Sequence, residues 1–256
     1  MASKTLVLIT GANTGLGYYA LQQMAATGKY HILMGSRDLA KAREAIDTLQ
    51  NDTSYKLDIS DIEPVQLDVT SDDSTHEAAA QVKAKYGYLD ILMVNQGIAQ
   101  QQKPDEHGQP SWRELYHQHY NTNLFGSVVV VEAFLPLLHA SKAPAGVGKR
   151  IAFTSSDLSS CAIAREGEGP YNAANFPIYR STKTALNMVM LHYARALDKD
   201  GFIVGASNPG YCATNLNAHS GLKDPRDGCK VLIKAVTAKK EDVHGYLINE
   251  DGPQPW

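Results

Sequence analysis

Short apolar runs alternate with longer amphipathic stretches along most of this chain, and that alternation limits the folds it can adopt. Runs with the length of a strand lie at 5–10, 31–36, 62–69, 89–95, 149–156 and 202–208. Helical patterns lie at 16–28, 38–50, 74–87, 124–140 and 183–197. Because unbroken apolar runs are typical of parallel strands covered on both faces, this order predicts an α/β fold with a doubly wound parallel sheet. A last run, "GYLIN", brings the predicted sheet to about seven strands flanked by helices.

The size and charge of the chain restrict its organisation and its partners. With 256 residues and no low-complexity linker, it is predicted to form a single domain over 1–256. A net charge of -3, with the basic residues scattered, argues against nucleic acid as a partner. The first apolar run leads into a glycine-rich turn rather than a cleavage site, and no run approaches the ~18 residues of a membrane span. We therefore expect neither a signal peptide nor a membrane partner.

The cysteines and histidines do not suggest a disulfide framework or a metal site. Cys161, Cys212 and Cys229 are widely spaced and form no CxxC pair, which fits a reduced, cytoplasmic setting. His117 and His119 are two positions apart, so they face different sides of a helix, and no third ligand accompanies them. No metal is predicted.

The segment "TGANTGLG" at 10–17 closes the first predicted strand and opens the first helix. Glycines there permit a tight turn, and the helix N-terminus offers unpaired N–H groups and the positive end of a dipole. This pattern predicts a dinucleotide pyrophosphate site in a Rossmann fold. The residues assigned to this site are Gly11, Asn13, Thr14, Gly15, Leu16 and Gly17.

The end of the second strand selects between two nicotinamide cofactors. An acidic residue at that place binds the ribose 2′-hydroxyl, whereas an arginine accommodates a 2′-phosphate. Here Ser36 stands where the acid would be and Arg37 follows, and a guanidinium grips phosphate with a fork of donors. The sequence therefore predicts NADP(H). The alternative is that Asp38 binds the ribose and Arg37 is a solvated charge.

The segment "YRSTK" at 179–183 places Tyr179 four positions before Lys183. On a helix that spacing puts both side chains on one face, where an ammonium group favours the phenolate and lowers the pKa of the tyrosine. A tuned tyrosine acts as a general acid or base. Taken alone, these five residues leave open an ordinary helix start with a solvated lysine.

Several segments together resemble the classical short-chain dehydrogenase/reductase family over the whole length of the chain. They are "TGANTGLG", "LDV" at 67–69, "VNQG" at 94–97, "NLFG" at 123–126, "TSS" at 154–156, "YRSTK" and "NPGYCAT" at 208–214. Within the family the chain resembles carbonyl reductases, and "NPGYCATNLN" with the closing "PW" resembles fungal reductases of secondary metabolism.

The resemblance implies a role for each matching residue around the cofactor. Asp68 and Val69 would lie at the adenine, and Asn95 and Gly97 would border the cofactor. Val94 and Gln96 depart from the family's N-N-A-G stretch, which puts the local strand-to-helix contacts in question. Lys183 would bind the nicotinamide ribose. The segment that fixes the nicotinamide would supply Pro209, Gly210, Cys212 and Thr214, with Cys212 either a reactive thiol or a small apolar filler.

The resemblance also implies the chemistry. Asn123 would hold a proton-relay water, and Ser156, rather than Ser155, would bind the substrate oxygen. Tyr179 would give a proton to a carbonyl oxygen as hydride arrives, its pKa lowered by Lys183 together with the oxidised nicotinamide. The implied activity is NADPH-dependent reduction of a ketone or aldehyde, and apolar residues of the predicted pocket walls, such as Phe176, Tyr211 and Leu216, favour a largely apolar small molecule. The alternatives are an NADP(H)-binding redox sensor without turnover and a reductase coupled to cyclisation or dehydration.

Two segments depart from common family members. An insertion at 157–178 precedes the catalytic tyrosine, and we expect a loop or short helix over the substrate mouth. Residues 211–228 read as a mobile substrate loop or lid, and 98–110 as a third wall of the pocket. Because longer insertions occur in monomeric members, the oligomeric state stays open between a monomer and a homodimer or tetramer.

Overall fold

The fold is a parallel sheet with helices on both faces, seen in a computed structural model that describes residues 4–99 and 110–256. Within these residues the sheet has seven strands in the order β3-β2-β1-β4-β5-β6-β7, every neighbouring pair parallel. The strands are β1 (Thr5–Ile9), β2 (Tyr30–Ser36), β3 (Ile62–Gln66), β4 (Ile91–Val94), β5 (Arg150–Thr154), β6 (Ile203–Ser207) and β7 (Leu247–Ile248). This arrangement confirms the doubly wound Rossmann fold predicted from the sequence.

The helices cover the two faces of the sheet. They are α1 (Gly15–Ala25), α2 (Leu39–Asn51), α3 (Asp72–Lys85), α4 (Trp112–Tyr120), α5 (Gly126–His139), α6 (Cys161–Glu166), α7 (Pro177–Ala196), α8 (Pro225–Thr237) and α9 (Lys240–Val243). Leu6 and Leu8 of β1 pack in one core cluster with α3, α5 and α7, whereas Val7 and Ile9 pack in a second with α1, α2 and α8. Successive residues of a strand point to opposite faces, so each strand contributes to both clusters.

A π-helical turn, Asn121–Phe125, joins α4 to α5 in one continuous helix. By length and composition alone, this helix, Trp112–His139, could cross a membrane, and 44% of its most apolar window is buried inside the protein. A helix that packs in a protein core passes the same test. Val130, Val131 and Phe134 of this helix do pack in the core cluster with the sheet. The helical pattern found in the sequence began at 124, although His117 and His119 were also assigned to a helix; the residues of α4 are mostly polar or exposed and form no apolar stripe.

The two predicted loop regions contain short helices. The insertion at 157–178 forms a 3₁₀ turn (Asp157–Ser159), α6, a second 3₁₀ turn (Gly169–Tyr171) and the start of α7. The 211–228 segment holds a 3₁₀ turn at Asn215–Asn217, and its last four residues belong to α8. Most of the predicted third wall, 100–109, lies outside the described residues.

Candidate active site

The predicted site residues gather at the carboxyl ends of the strands. The strand order reverses beside β1, which is flanked by β2 and β4, and a doubly wound sheet opens a crevice at such a point. Thr10, Asn95, Ser155 and Asn208 follow β1, β4, β5 and β6 at this edge. The site is therefore built from segments that are far apart in the sequence.

The glycine turn after β1 has the geometry of an anion site. Gly11 and Gly15 both have φ of +60°, a conformation that favours glycine. Helix α1 begins at Gly15 with no acidic residue in its first turn, and the side chain of Thr14 makes no capping hydrogen bond. The side chain of Thr14 therefore does not cap the first N–H groups of α1, and these groups can donate hydrogen bonds to a ligand. A pyrophosphate fits such a site.

The end of β4 is tied to the glycine turn through Asn95. Its Nδ2 donates to the carbonyl oxygens of Thr10 (3.0 Å) and Gly11 (3.3 Å). Gln96, the departure from the family pattern, bonds the hydroxyl of Thr10 and donates to Ser127 Oγ at 2.9 Å. Gln96 therefore connects the end of β1 to α5, so the departure from the family's N-N-A-G stretch preserves the contact between strand and helix.

The end of β2 leaves Arg37 available to a ligand. Asp38 Oδ1 accepts from the backbone N–H of Ala40 (2.9 Å) and Lys41 (3.3 Å), so this carboxylate caps α2. Buried Ser36 donates its hydroxyl to the carbonyl oxygen of Asp38 at 2.9 Å. Arg37 is exposed and forms no ion pair or hydrogen bond with any described residue. Asp38 therefore serves as a helix cap, and Arg37 is the more exposed of the two side chains predicted to contact the ribose end of the cofactor.

The proposed adenine residues follow β3 directly. Asp68 Oδ1 accepts from the N–H of Thr70 (2.9 Å) and from its hydroxyl (2.7 Å), which fixes the turn after the strand. The chain then packs against the start of α5, where a Cβ on Gly126 would lie 2.4 Å from the carbonyl oxygen of Val69. Contact of Asp68 and Val69 with adenine stays a prediction.

Lys183 and Tyr179 share one face of α7, as the four-residue spacing predicts. Lys183 Nζ lies 5.7 Å from the centre of the Tyr179 ring and donates to the carbonyl oxygen of Thr154 at 2.7 Å. Lys183 is only 2% exposed, and burial lowers its pKa to about 8. A Cβ on Gly97 would lie 3.5 Å from this ammonium nitrogen, so the end of β4 approaches it closely.

The pKa of Tyr179 moves in the direction opposite to the one that the resemblance implies. Burial raises this pKa above its usual value, the negative charge of Asp157 raises it further, and a hydrogen bond with Ser156 lowers it. The expected lowering depends on the oxidised nicotinamide as well as on Lys183. The chain's own groups hold the phenol protonated at neutral pH, which is the state that donates a proton.

The two serines after β5 point to different neighbours. Ser155 is buried and donates its hydroxyl to Asn187 Oδ1 at 2.6 Å, inside the protein. Ser156 accepts from the N–H of Leu158 at 3.1 Å and interacts with the phenol of Tyr179. The structure therefore brings Ser156, and not Ser155, to the tyrosine.

Asn123 sits in the π-helical turn, fully buried. Its Oδ1 accepts from the N–H of Ile98 at 2.8 Å, and its Nδ2 donates to the carbonyl oxygen of Ile98 (2.9 Å) and to Thr182 Oγ1 (3.1 Å). A π-helical turn re-aims side chains and is frequent at functional sites. It places Asn123 against α7 beside Lys183, while its role in holding a water stays a prediction.

The segment after β6 lies against the glycine turn. Asn215 Nδ2 donates to Thr14 Oγ1 at 3.0 Å, and a Cβ on Gly15 would lie 3.7 Å from Thr214. Pro209 and Gly210, which has φ of +78°, lead into this segment. The 211–228 segment thus packs against the glycine turn, while its role as a lid stays a prediction.

Cys212 is a packing residue. Its thiol is buried and donates to the carbonyl oxygen of Pro209 at 3.3 Å. Burial raises the pKa of this thiol to about 11. A Cβ on Gly228 would lie 2.2 Å from its sulfur, which shows how closely α8 approaches. These observations favour the apolar filler over the reactive thiol.

Arg180 lies within "YRSTK" and has a structural role that its sequence position does not predict. This buried guanidinium donates to the backbone carbonyl oxygens of Asn175 (2.7 Å), Leu158 (3.2 Å) and Asn172 (3.2 Å). The helix that carries Tyr179 therefore holds the insertion at several points. Nothing in the local sequence marks the carbonyl partners, because any residue type supplies them.

His117 and His119 face different environments. His117 is exposed, and the buried ring of His119 bonds to the carbonyl oxygen of Leu115 at 2.8 Å. Among residues 4–99 and 110–256, no group of three potential metal ligands occurs.

Comparison with known proteins assigns the chain to a family. Residues 5–224 match the family model described as short chain dehydrogenase. The chain belongs to the short-chain dehydrogenase family. It is 36% identical to the short-chain dehydrogenase anuI of Penicillium roqueforti over 252 residues, which cover 97% of this chain and 95% of that protein. It is also 36% identical to the short-chain dehydrogenase/reductase eupG of a Phoma species, covering 88% of this chain and 83% of that protein.

Solved structures of short-chain dehydrogenases share the fold. The carbonyl reductase Sniffer of D. melanogaster superimposes with a TM-score of 0.78 at 26% identity and covers 99% of this chain and 100% of its own. An NADPH-bound carbonyl reductase from chicken fatty liver has a TM-score of 0.79 at 23% identity, with 99% and 100% covered. The chain is therefore an oxidoreductase of a nicotinamide-dependent family, with fungal relatives and carbonyl reductases among its structural neighbours.

Proposed function

We propose that this short-chain dehydrogenase is an NADPH-dependent reductase that converts a ketone or aldehyde to an alcohol, with Tyr179 as the general acid. The observation that carries the proposal is the convergence of Tyr179, Lys183 and Ser156 at the carboxyl end of β5. A protonated phenol, a buried ammonium and a hydroxyl meet there.

Each of these side chains has a role in carbonyl reduction. When bound, the nicotinamide supplies the hydride. The hydroxyl of Ser156, which donates to Asp157 Oδ1 at 3.1 Å in this structure, turns to donate its hydrogen bond to the carbonyl oxygen, where negative charge develops. Tyr179 transfers its phenolic proton to that oxygen, and the nearby ammonium of Lys183 stabilises the phenolate that is left. At pH 7 Lys183 keeps its charge, because its pKa stays at about 8.

The preference for NADPH is supported by the end of β2. Ser36 brings no negative charge to the place where a 2′-phosphate would lie, and Asp38 caps α2. The exposed guanidinium of Arg37 supplies donors for that phosphate. Reduction is the direction that NADPH favours.

A largely apolar carbonyl compound fits the exposed apolar side chains of the segment that leads into α7 and of the 211–228 segment. Phe176 is 38% exposed at the start of α7, and Tyr211 and Leu216 are 55% and 41% exposed on the 211–228 segment. Large apolar side chains exposed near a site favour binding of an apolar group.

The test is oxidation of NADPH with a panel of aldehydes and ketones, using wild type and Tyr179→Phe. We expect turnover by wild type and a fall of about 10²- to 10⁴-fold in Tyr179→Phe, with NADPH affinity unchanged. Tyr246→Phe is the matched control, because Tyr246 is exposed and directly precedes β7, at the opposite end of that strand from the carboxyl edge where the site lies. NADPH binding without turnover of any compound would contradict the proposal and favour a redox sensor.

A further inference from the structure

A carboxylate lies directly beside the reacting groups. Asp157 Oδ1 accepts a hydrogen bond from the hydroxyl of Ser156 at 3.1 Å, and Oδ2 accepts one from the hydroxyl of Tyr171 at 3.0 Å. The charge of Asp157 also acts on the phenol of Tyr179. The positive charge of the buried Arg180 guanidinium also acts on Asp157. An acid is thus held at the mouth of the site by two hydroxyl groups.

This carboxylate has acceptor capacity to spare. An ionised carboxylate offers about four lone-pair sites, and the two hydroxyl groups occupy two of them. A bound substrate excludes water from the mouth, and a carboxylate oxygen that loses a water partner needs another donor. The charge also opposes the negative charge that develops on the carbonyl oxygen. A hydrogen-bond donor on the substrate would offset both effects.

The position of the carboxylate is fixed by the insertion. Arg180 bonds the carbonyl oxygen of Leu158, next to Asp157, and those of Asn172 and Asn175, just after Tyr171. The backbone on both sides of the Asp157–Tyr171 contact is therefore attached to the helix that carries Tyr179. A group held this way is preorganised for recognition.

We propose that Asp157 and Tyr171 form a polar subsite that selects carbonyl compounds bearing a hydroxyl group on the carbon next to the carbonyl. The hydroxyl of Ser156 has one proton, so donating it to the substrate carbonyl releases Asp157 Oδ1 and leaves that oxygen without this donor. Because Ser156 Oγ lies 3.1 Å from Asp157 Oδ1, a carbonyl oxygen bonded to Ser156 lies within two hydrogen-bond lengths of the carboxylate, about 6 Å. A hydroxyl on the neighbouring carbon reaches the carboxylate across that distance. This inference rests on the proposed reductase function.

The experiment compares benzoin with deoxybenzoin, which lacks only the hydroxyl group, and with benzoin methyl ether, which keeps the oxygen but cannot donate. For wild type we expect kcat/KM to favour benzoin over both. Asp157→Asn lowers that preference about 10- to 100-fold, as expected for a hydrogen bond to a charged group. Tyr171→Phe lowers it several-fold, about the size of one neutral hydrogen bond.

Glu168→Gln is the matched control. It removes the same charge from the same insertion, but Glu168 is exposed and its side chain makes no capping bond. We expect it to leave the preference for benzoin unchanged. If Asp157→Asn fails to fold, as judged by thermal unfolding, Tyr171→Phe carries the test, since Tyr171 is 39% exposed.

The outcomes separate the subsite from the reductase function. Equal losses on benzoin and deoxybenzoin in Asp157→Asn would mean that Asp157 is only structural, and would overturn the subsite while the reductase function stands. If wild type reduces other ketones but neither of this pair, the pair is measured as competitive inhibitors, and equal inhibition constants overturn the subsite. If NADPH binds and no carbonyl compound is turned over, both proposals fail.

Discussion

The side-chain nitrogen Nδ2 of Asn95 lies 2.5 Å from the position that a Cβ atom on Gly17 would occupy. The same Cβ would lie 2.8 Å from the carbonyl oxygen of Gly11. The end of β4, the glycine turn and the first turn of α1 therefore meet with no room for a side chain at Gly17. That contact sets the distance between the helix N-terminus and the strand edge, and hence the shape of the anion site.

Gly17→Ala is expected to destabilise the protein by about 1 to 3 kcal/mol, the usual cost of overpacking, and to weaken NADPH binding. The added methyl group displaces Asn95 from the carbonyl oxygens of Thr10 and Gly11. Thermal unfolding and fluorescence titration with NADPH measure the two effects. Gly28→Ala at the other end of α1 is the control, because it introduces backbone strain at φ of +68° in open space. Equal NADPH affinity in both variants would refute this prediction.

Arg37→Glu is expected to weaken NADPH binding by at least about 10-fold and to leave NADH binding nearly unchanged. The physical reason is the loss of charge-assisted hydrogen bonds to the 2′-phosphate and the repulsion that replaces them. Titration of each cofactor against the purified protein measures both constants. Arg43→Glu reverses the same charge on the exposed face of α2 and should preserve NADPH binding. A parallel loss for both cofactors in Arg37→Glu would argue against contact with the phosphate.

The pH dependence of stability is expected to differ between wild type and Lys183→Met. Burial lowers the pKa of Lys183 from 10.5 to about 8, so the folded state binds fewer protons than the unfolded state between these values. The free energy of unfolding of wild type should therefore rise relative to the variant as pH increases from about 8 to 10.5, by about 3 kcal/mol. Urea titrations at several pH values measure the difference. A constant difference across this range would show that the lysine is not desolvated.

The thiols are expected to react unequally at neutral pH. Cys161 is exposed, whereas Cys212 and Cys229 are buried, with pKa values raised by burial to about 11 and about 12. Because the thiolate is the reactive form, a thiol reagent should modify Cys161 rapidly and the buried pair only after unfolding. Mass spectrometry of the native and denatured protein identifies the modified sites. Rapid labelling of Cys212 in the folded protein would restore the reactive-thiol interpretation.

The fold was predictable because the residues that form each strand and helix are contiguous in the sequence. Buried parallel strands need apolar side chains on both faces, and that requirement appears directly as runs such as 5–10 and 202–208. The pairing of Tyr179 with Lys183 followed from helical spacing in the same way. Strand ends were less well predicted: β3 stops at Gln66, whereas the pattern continued to residue 69, because Leu67 and Val69 are buried after the strand has ended.

The features of the site that could not be predicted depend on contacts between segments far apart in the sequence. The bond from Gln96 to Ser127, the two hydroxyl groups on Asp157 and the carbonyl partners of Arg180 join parts of the chain that no spacing rule connects. The raised pKa of Tyr179 likewise arises from burial and from the charge of Asp157. Residue types alone predicted a lowered value, since they show the nearby lysine but not the desolvation.

The anchoring of the insertion by Arg180 has an evolutionary consequence. Its guanidinium holds main-chain oxygens, which every amino acid supplies, so the side chains between residues 161 and 175 are not constrained by this attachment. Mutations there can reshape the substrate mouth without detaching it from the helix of the catalytic tyrosine. Homologues that keep this arginine can therefore acquire new substrate specificities while the position of the tyrosine proton donor is retained.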